Sequence, residues 1–239
     1  MIDQETVAPQ TNAEAAAWAN GYGVIRHTAQ TQSRIATLAS RASSDRTEGD
    51  GVSIYKLLSL LDRLTSAALW LVVHETYARK VHLDGRPLSR DEFKPKPDGH
   101  TGGSLNVVPA YAGYLAANVL SAHTRGWLMG QGHCVAAVDS LNLLVGNLLA
   151  AHSERYSVSD EGLTRYVQDF YSYRLNDSGV QDSPLGSHVN HNTAGGLAGC
   201  SHHDQQRSPD RPADDHVAAR WRGLVLPSSG AERVRSYRV

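Results

Sequence analysis

The stretch Trp127-Leu128-Met129-Gly130-Gln131-Gly132-His133 decides which fold the sequence predicts. Its short apolar run is typical of a β-strand, its glycines indicate a tight turn, and the alanine- and leucine-rich segment 134–149 indicates a helix. Strand, glycine turn and helix in this order form the layout of a nucleotide or cofactor site in α/β proteins. We therefore expect an α/β fold, rich in helices, with a parallel sheet. A dinucleotide-binding dehydrogenase is disfavoured, because the third small residue of its fingerprint falls on Val135.

A second glycine-rich stretch lies upstream, at Gly99-His100-Thr101-Gly102-Gly103-Ser104-Leu105-Asn106. Residues 93–98 contain two prolines and predict an extended approach to it. Pro109 is tolerated in the first turn of a helix, so a helix is expected to begin near Val107. The loop would then lie at a helix amino end, where free N–H groups and the dipole favour an anion. The alternative is a tight turn whose glycines serve only to permit unusual backbone angles.

Apolar residues at three- and four-residue steps predict further helices. The strongest pattern follows Ser53 and is expected to form much of the core; it comprises Ile54, Leu57, Leu58, Leu61, Leu64, Ala68, Leu71 and Val72. Near its end, His74, Glu75 and Tyr77 are interpreted as packing and surface groups rather than site residues. Shorter helices are expected at 13–19, capped by Asn12, and at 24–42. The segment Ser157-Val158-Ser159-Asp160 is expected to form the capping box of another helix, which carries Leu163, Val167 and Phe170.

Composition excludes some function classes and favours one compartment. The chain has 239 residues, enough to bury a large core, and a formal net charge of -1, which disfavours nucleic acid as a partner. Its two cysteines allow at most one disulfide, and the first residues lack the pattern of a secretory signal, so we expect a cytoplasmic protein. The apolar run 57–73 is interrupted by Asp62 and Arg63, which predicts a buried helix and no membrane association.

A third histidine loop makes a family resemblance specific. Ser187-His188 is followed by Thr193-Ala194-Gly195, in a glycine-rich segment that breaks helices. With Gly99-His100-Thr101-Gly102-Gly103 and Gly132-His133, the chain resembles the amino-terminal, pyrophosphate-binding domain of thiamine-diphosphate enzymes of the transketolase and phosphoketolase group. It is most similar to the phosphoketolase-like branch labelled xylulose 5-phosphate 3-epimerase. The similarity covers most of residues 20–196, and position 194 is alanine where many relatives have proline.

The resemblance implies a lyase or transferase of carbohydrate metabolism that cleaves ketose phosphates with thiamine diphosphate and Mg²⁺. It implies that His100, His133 and His188 act as catalytic acid/base and hydrogen-bonding groups toward sugar phosphate or cofactor. The implied cofactor contacts are His100, Gly102, Gly103, Gly132 and His133, while no residue is assigned to the metal. Relatives form homodimers, so this chain is expected to associate or to aggregate through apolar helix faces.

After Gly196 the sequence departs from the family pattern. In relatives a Gly-Asp-Gly motif and a later asparagine hold magnesium and diphosphate, and neither occurs after Gly196 here. Asp50-Gly51 in the early linker has the wrong location to substitute for them. We expect a helical lead at 1–50, a partial thiamine-diphosphate-binding domain at 51–196 and a divergent, disordered tail at 197–239. A truncated or frame-shifted translation is the preferred explanation of the tail, and a genuine variant ending is the second. The third is a metal site formed by His188, His191, Cys200, His202 and His203. Two function classes stay open: an enzyme, and a non-catalytic fragment or subunit without the magnesium anchor.

Overall fold

The computed structural model describes residues 7–45, 53–121, 125, 127, 132–172 and 184–185. The chain divides into two compact units, Met1–Ser66 and Ala67–Val239. The α-helices are α1 Val7–Ala19, α2 Ala29–Asp45, α3 Ile54–Tyr77, α4 Thr101–Ser121, α5 Val135–Val145, α6 Ala150–Arg155 and α7 Asp160–Asp169. Short 3-10 turns lie at Arg90–Glu92 and Gly132–Cys134. The predicted boundaries at 50/51 and 196/197 fall outside the described residues.

The prediction of an α/β fold with a parallel sheet is wrong for the part of the chain that the structure describes. That part is helical, and its only β-type pairings are isolated bridges between Tyr22 and Ile25 and between Ala78 and Phe93. Helices α4 and α5 pack directly on each other, so their apolar faces are buried without an intervening sheet. The run that predicted the strand is described only at Trp127 and from Gly132 onward, where a 3-10 turn continues into α5. A short apolar run does not by itself distinguish a strand from other buried chain.

The first unit has a small core around Trp18, Ala39 and Tyr55. The Trp18 ring stacks on His27 at a centroid distance of 4.3 Å, and His27 Nε2 lies 2.8 Å from Asp62 Oδ2. Burial raises the pKa of Asp62 above its ordinary value, against the opposing effect of its contact with His27. The imidazole therefore joins the aromatic core of this unit to a carboxyl group on α3.

Both helices predicted for the first unit exist, with different starts. Helix α1 begins at Val7, so Asn12 lies inside it and is not its cap. Helix α1 ends at Ala19, and Gly21 follows it with a φ of 71°. Helix α2 begins at Ala29 rather than at 24, because residues 22–25 form a turn and Thr28 Oγ1 accepts the N–H of Thr31 at 3.2 Å.

The second unit is built around α5, which is buried along its whole length except at Leu144. Helix α4 begins at Thr101, six residues before the predicted start, so Pro109 lies inside it. The proline is exposed, and its missing N–H removes one helical hydrogen bond. As a result His100 directly precedes the helix, and Gly102 and Gly103 belong to its first turn.

Helix α3 is the one helix among the described residues that is long and apolar enough to cross a membrane by length and composition. This is weak evidence, since the core helix of a soluble protein passes the same test. Ala68, Leu71 and Val72 in its second half are almost completely buried in the second unit. Burial at these positions is what the sequence predicted, and the absence of membrane association stays a prediction.

Helix α7 begins within the predicted capping segment 157–160. Its cap is Ser159, whose Oγ accepts the N–H of Gly162 at 3.1 Å. Changing Ser159→Ala is expected to lower the free energy of unfolding by about 1 kcal/mol, because one helix N–H loses its acceptor. Urea unfolding measures the change. Ser153→Ala is the matched control, since that exposed hydroxyl only donates to carbonyls of its own helix end. Equal losses in the two variants would contradict the capping role.

Candidate functional site

Two of the three predicted histidines, His100 and His133, are among the described residues, and they lie side by side. His100 precedes α4, while His133 lies in the 3-10 turn Gly132–Cys134 that leads into α5. Their ring centroids are 4.5 Å apart and the planes are inclined by 54°. His100 is exposed and His133 is half-buried, so a solute can reach the pair from solvent. His188, the third predicted histidine, lies outside the described residues.

Gly103 allows the close approach of these two segments. A Cβ atom at this position would lie 2.9 Å from Cys134 Sγ and 3.7 Å from His133 Nε2. Gly102 differs, because a Cβ there would have nothing within 4 Å. Gly132 is buried beside His133. Packing therefore accounts for Gly103, while the roles of Gly102 and Gly132 in approaching a cofactor remain predictions.

Gly99 shapes the entry to α4. Its φ of 115° lies in the region that favours glycine, and its N–H donates to Asp98 Oδ1 at 2.7 Å. A Cβ at Gly99 would lie 2.4 Å from atoms of the Tyr171 ring. The tight-turn interpretation of this loop thus holds for Gly99. The anion interpretation concerns the residues that follow it, whose N–H groups open a 21-residue helix.

The first turn of α4 is attached to the end of α3. Thr101 Oγ1 donates to Thr76 Oγ1 at 2.8 Å. Ser104, one turn further along, is fully buried, and its hydroxyl has no partner among the described residues. The hydroxyl contact holds His100 at a defined place beside the carboxyl end of α3.

Glu75, the neighbour of Thr76 on α3, is the centre of a buried polar cluster. Ser140 Oγ and Tyr166 OH both donate to its Oε1, at 2.6 and 2.7 Å. Its Oε2 is buried and has no described hydrogen-bond partner. Burial raises the pKa of Glu75 well above its ordinary value, so the folded chain favours the protonated acid.

Lys94 lies at the edge of the same cluster. Its Nζ donates to the backbone carbonyl oxygens of Glu75 and Phe170, at 2.5 and 3.0 Å. Burial lowers its pKa to about 8, while Glu75 and Asp98 oppose that change. The ammonium group thereby connects the end of α3 to the end of α7.

The sequence pattern indicates that Glu75 is a packing or surface group. The surface interpretation is wrong, because the side chain is fully buried. The available signal was its spacing, since Glu75 follows Leu71 and Val72 by four and three residues and so falls on the buried face. An acid on such a face needs hydrogen-bond partners from other helices. The sequence alone does not reveal which ones.

Among the described residues, no group of three or more His, Cys, Asp or Glu side chains is placed to hold a metal ion. Cys134 is a buried free thiol, and burial raises its pKa. The alternative metal site, which comprises His188, His191, Cys200, His202 and His203, falls outside the described residues.

Comparisons with protein-family models, with curated proteins and with solved structures found no match to this chain. The family resemblance therefore rests on the motifs themselves. In the structure, the His100 and His133 rings, which belong to two of those motifs, lie beside each other.

Proposed function

We propose that this chain takes part in thiamine-diphosphate-dependent cleavage or transfer on ketose phosphates, with His100 and His133 contacting the phosphorylated sugar. One observation carries the proposal: the 4.5 Å separation of two imidazoles that come from separate glycine-rich loops. A core histidine pair would be buried, whereas His100 is exposed.

The chemistry of the pair suits a phosphorylated sugar. An imidazole donates one hydrogen bond and accepts another, so two of them can bind neighbouring hydroxyl groups and move a proton near neutral pH. The amino end of α4 next to His100 presents N–H groups and a positive dipole end toward an anion. Sugar hydroxyls on the imidazoles and a phosphate near the helix end make one consistent arrangement.

Thiamine diphosphate, when bound, supplies an electron sink for the cleavage of a carbon–carbon bond. Magnesium needs oxygen ligands on an ordered loop. The sequence after Gly196 lacks the Gly-Asp-Gly motif and the asparagine that provide such ligands in the family that the chain resembles. This observation favours a second candidate function: a subunit that contributes the sugar-contacting histidines while another chain holds the cofactor.

Calorimetric titration of the full chain with xylulose 5-phosphate tests the proposal. His100→Ala and His133→Ala are each expected to weaken binding by about tenfold, which corresponds to one hydrogen bond of ~1.4 kcal/mol. His152→Ala is the matched control, since that half-buried histidine lies on α6. We expect the double variant to lose less than the sum of the single losses, because the rings are neighbours.

Repeating the titration with thiamine diphosphate and Mg²⁺ separates the two candidates. Saturable binding of the cofactor that depends on magnesium supports an enzyme that is complete in this chain. Sugar-phosphate binding without cofactor binding supports the subunit. If neither compound binds at millimolar concentration, or if the histidine variants bind like the unaltered chain, the proposed function is wrong.

A further inference from the structure

A cavity lies within the second unit, between the end of α3 and the loop that follows it. Its volume is about 230 Å³, and its walls include Trp70, His74, His82, Arg86, Pro87 and Leu88. We call it the Arg86 pocket. The function proposed above does not use any of these residues.

One wall of the Arg86 pocket is aromatic. The Trp70 and His74 rings lie 3.7 Å apart between centroids and are inclined by 36°. His74 Nδ1 donates to the carbonyl oxygen of Trp70 at 2.9 Å, which leaves a lone pair on Nε2. Burial lowers the pKa of His74, so its neutral form is favoured. The wall therefore combines a flat apolar surface with one hydrogen-bond acceptor.

The Arg86 guanidinium lies at the same pocket, and a chain of hydrogen bonds through His82 and Glu92 holds it there. His82 Nε2 donates to Glu92 Oε1 at 2.9 Å, so its Nδ1 accepts from the Arg86 guanidinium, also at 2.9 Å. Glu92 Oε2 accepts the N–H of Ser89 at 2.9 Å. That bond and the His82 contact hold the pKa of Glu92 at about 2, so the carboxylate stays charged and keeps His82 oriented.

Within the part of the chain that the structure describes, the Arg86 guanidinium uses one of its N–H donors and leaves the others for a ligand. Among the described residues its side chain bonds only to His82, and none of the ion pairs there involves it. The carboxylate of Asp84 binds the backbone N–H of Arg86, at 3.0 Å. An exposed planar fork with free N–H groups matches the two oxygens of a carboxylate.

We propose that the Arg86 pocket binds a small aromatic carboxylate that carries a hydroxyl or N–H donor on its ring. The carboxylate pairs with Arg86, the ring lies against Trp70, His74 and Leu88, and the ring donor reaches His74 Nε2. The volume is below the roughly 300–1,000 Å³ of pockets for drug-sized ligands, which limits the occupant to about one ring. Aromatic and aliphatic walls favour a flat ring over a polyol.

Calorimetry or ligand-observed NMR on the full chain tests this site with para-hydroxybenzoate as the probe. Benzoate lacks the ring donor, cyclohexanecarboxylate lacks the flat ring, and inorganic phosphate presents only the anion. We expect para-hydroxybenzoate to bind about tenfold more tightly than benzoate, by the contribution of one hydrogen bond. Cyclohexanecarboxylate and phosphate are expected to bind more weakly than benzoate.

Substitutions in the pocket test whether Arg86 and His74 bind the probe. Arg86→Gln is expected to weaken para-hydroxybenzoate binding at least tenfold, and the residue is exposed, so the fold tolerates the change. His74→Phe is expected to keep benzoate binding and to remove the preference for para-hydroxybenzoate. Arg79→Gln is the matched control, as an exposed arginine outside the pocket, and is expected to bind like the unaltered chain.

Three results would overturn the inference. These are the absence of para-hydroxybenzoate binding at millimolar concentration, binding that Arg86→Gln leaves unchanged, and phosphate binding that is tighter than that of either aromatic acid. The experiment is independent of His100 and His133. Its failure therefore leaves the ketose phosphate proposal in place, and the reverse also holds.

Discussion

Changing Glu75→Ala is expected to lower the free energy of unfolding by about 3–5 kcal/mol, the largest stability effect of a single substitution that we predict. The change opens a cavity at a fully buried position and leaves the hydroxyls of Ser140 and Tyr166 without their acceptor. It also removes the side chain that joins α3 to α5 and α7. Urea unfolding followed by circular dichroism measures the loss.

A matched control removes an exposed glutamate in place of the buried one. Glu154 is exposed on α6, and Glu154→Ala is expected to change the free energy of unfolding by less than about 0.5 kcal/mol. If Glu75→Ala is tolerated as well as Glu154→Ala, the cluster does not stabilise the second unit.

The isosteric change Glu75→Gln is expected to alter the pH dependence of stability. Because the folded-state pKa of Glu75 is raised, its contribution is fully present below the unfolded-state pKa and is lost as pH rises through the folded-state value. The groups facing it are Ser140, Tyr166, Asp139 and Lys94, of which Asp139 favours the protonated acid and Lys94 opposes it.

Glutamine resembles the protonated acid and does not titrate. Between about pH 5 and 8 the original chain is therefore expected to lose stability relative to Glu75→Gln, so that the variant is the more stable at pH 8. Unfolding midpoints of both proteins across this range give the difference directly. A constant difference would show that Glu75 does not titrate differently in the folded and unfolded chains.

Much of the local structure could be predicted from the sequence. The apolar spacing along α3 and the capping segment at 157–160 correspond to the helices observed. Both signals are local, since each depends on side chains within one or two turns. The predicted start of α4 is wrong, because the prediction placed Pro109 in the first turn of the helix. Pro109 instead lies on an exposed face inside α4, where it costs one helical hydrogen bond.

Non-local features were predicted less well. The parallel sheet was inferred from one apolar run and one glycine turn, and neither shows what packs on the helix that follows. The cluster at Glu75 joins residues 65 and 91 positions apart along the chain, so no sequence window contains it. The meeting of His100 and His133 was implied only through the family resemblance, since the spacing of the two loops does not place them in contact.

Changing Gly99→Ala is expected to lower the free energy of unfolding by about 2–4 kcal/mol, combining backbone strain of ~1–3 kcal/mol with a steric clash. At a φ of 115° an alanine is strained, and its Cβ would lie 2.4 Å from the Tyr171 ring. Gly102→Ala is the matched control: its Cβ meets open space in a helical turn, so stability is expected to be unchanged or to rise by up to about 1 kcal/mol. Urea unfolding of the two variants measures the difference in stability, and equal stabilities would contradict the role of Gly99.

Titration of Gly102→Ala with xylulose 5-phosphate then tests whether this loop also contacts a ligand. A variant of full stability that binds the sugar phosphate more weakly identifies a close approach of ligand to backbone.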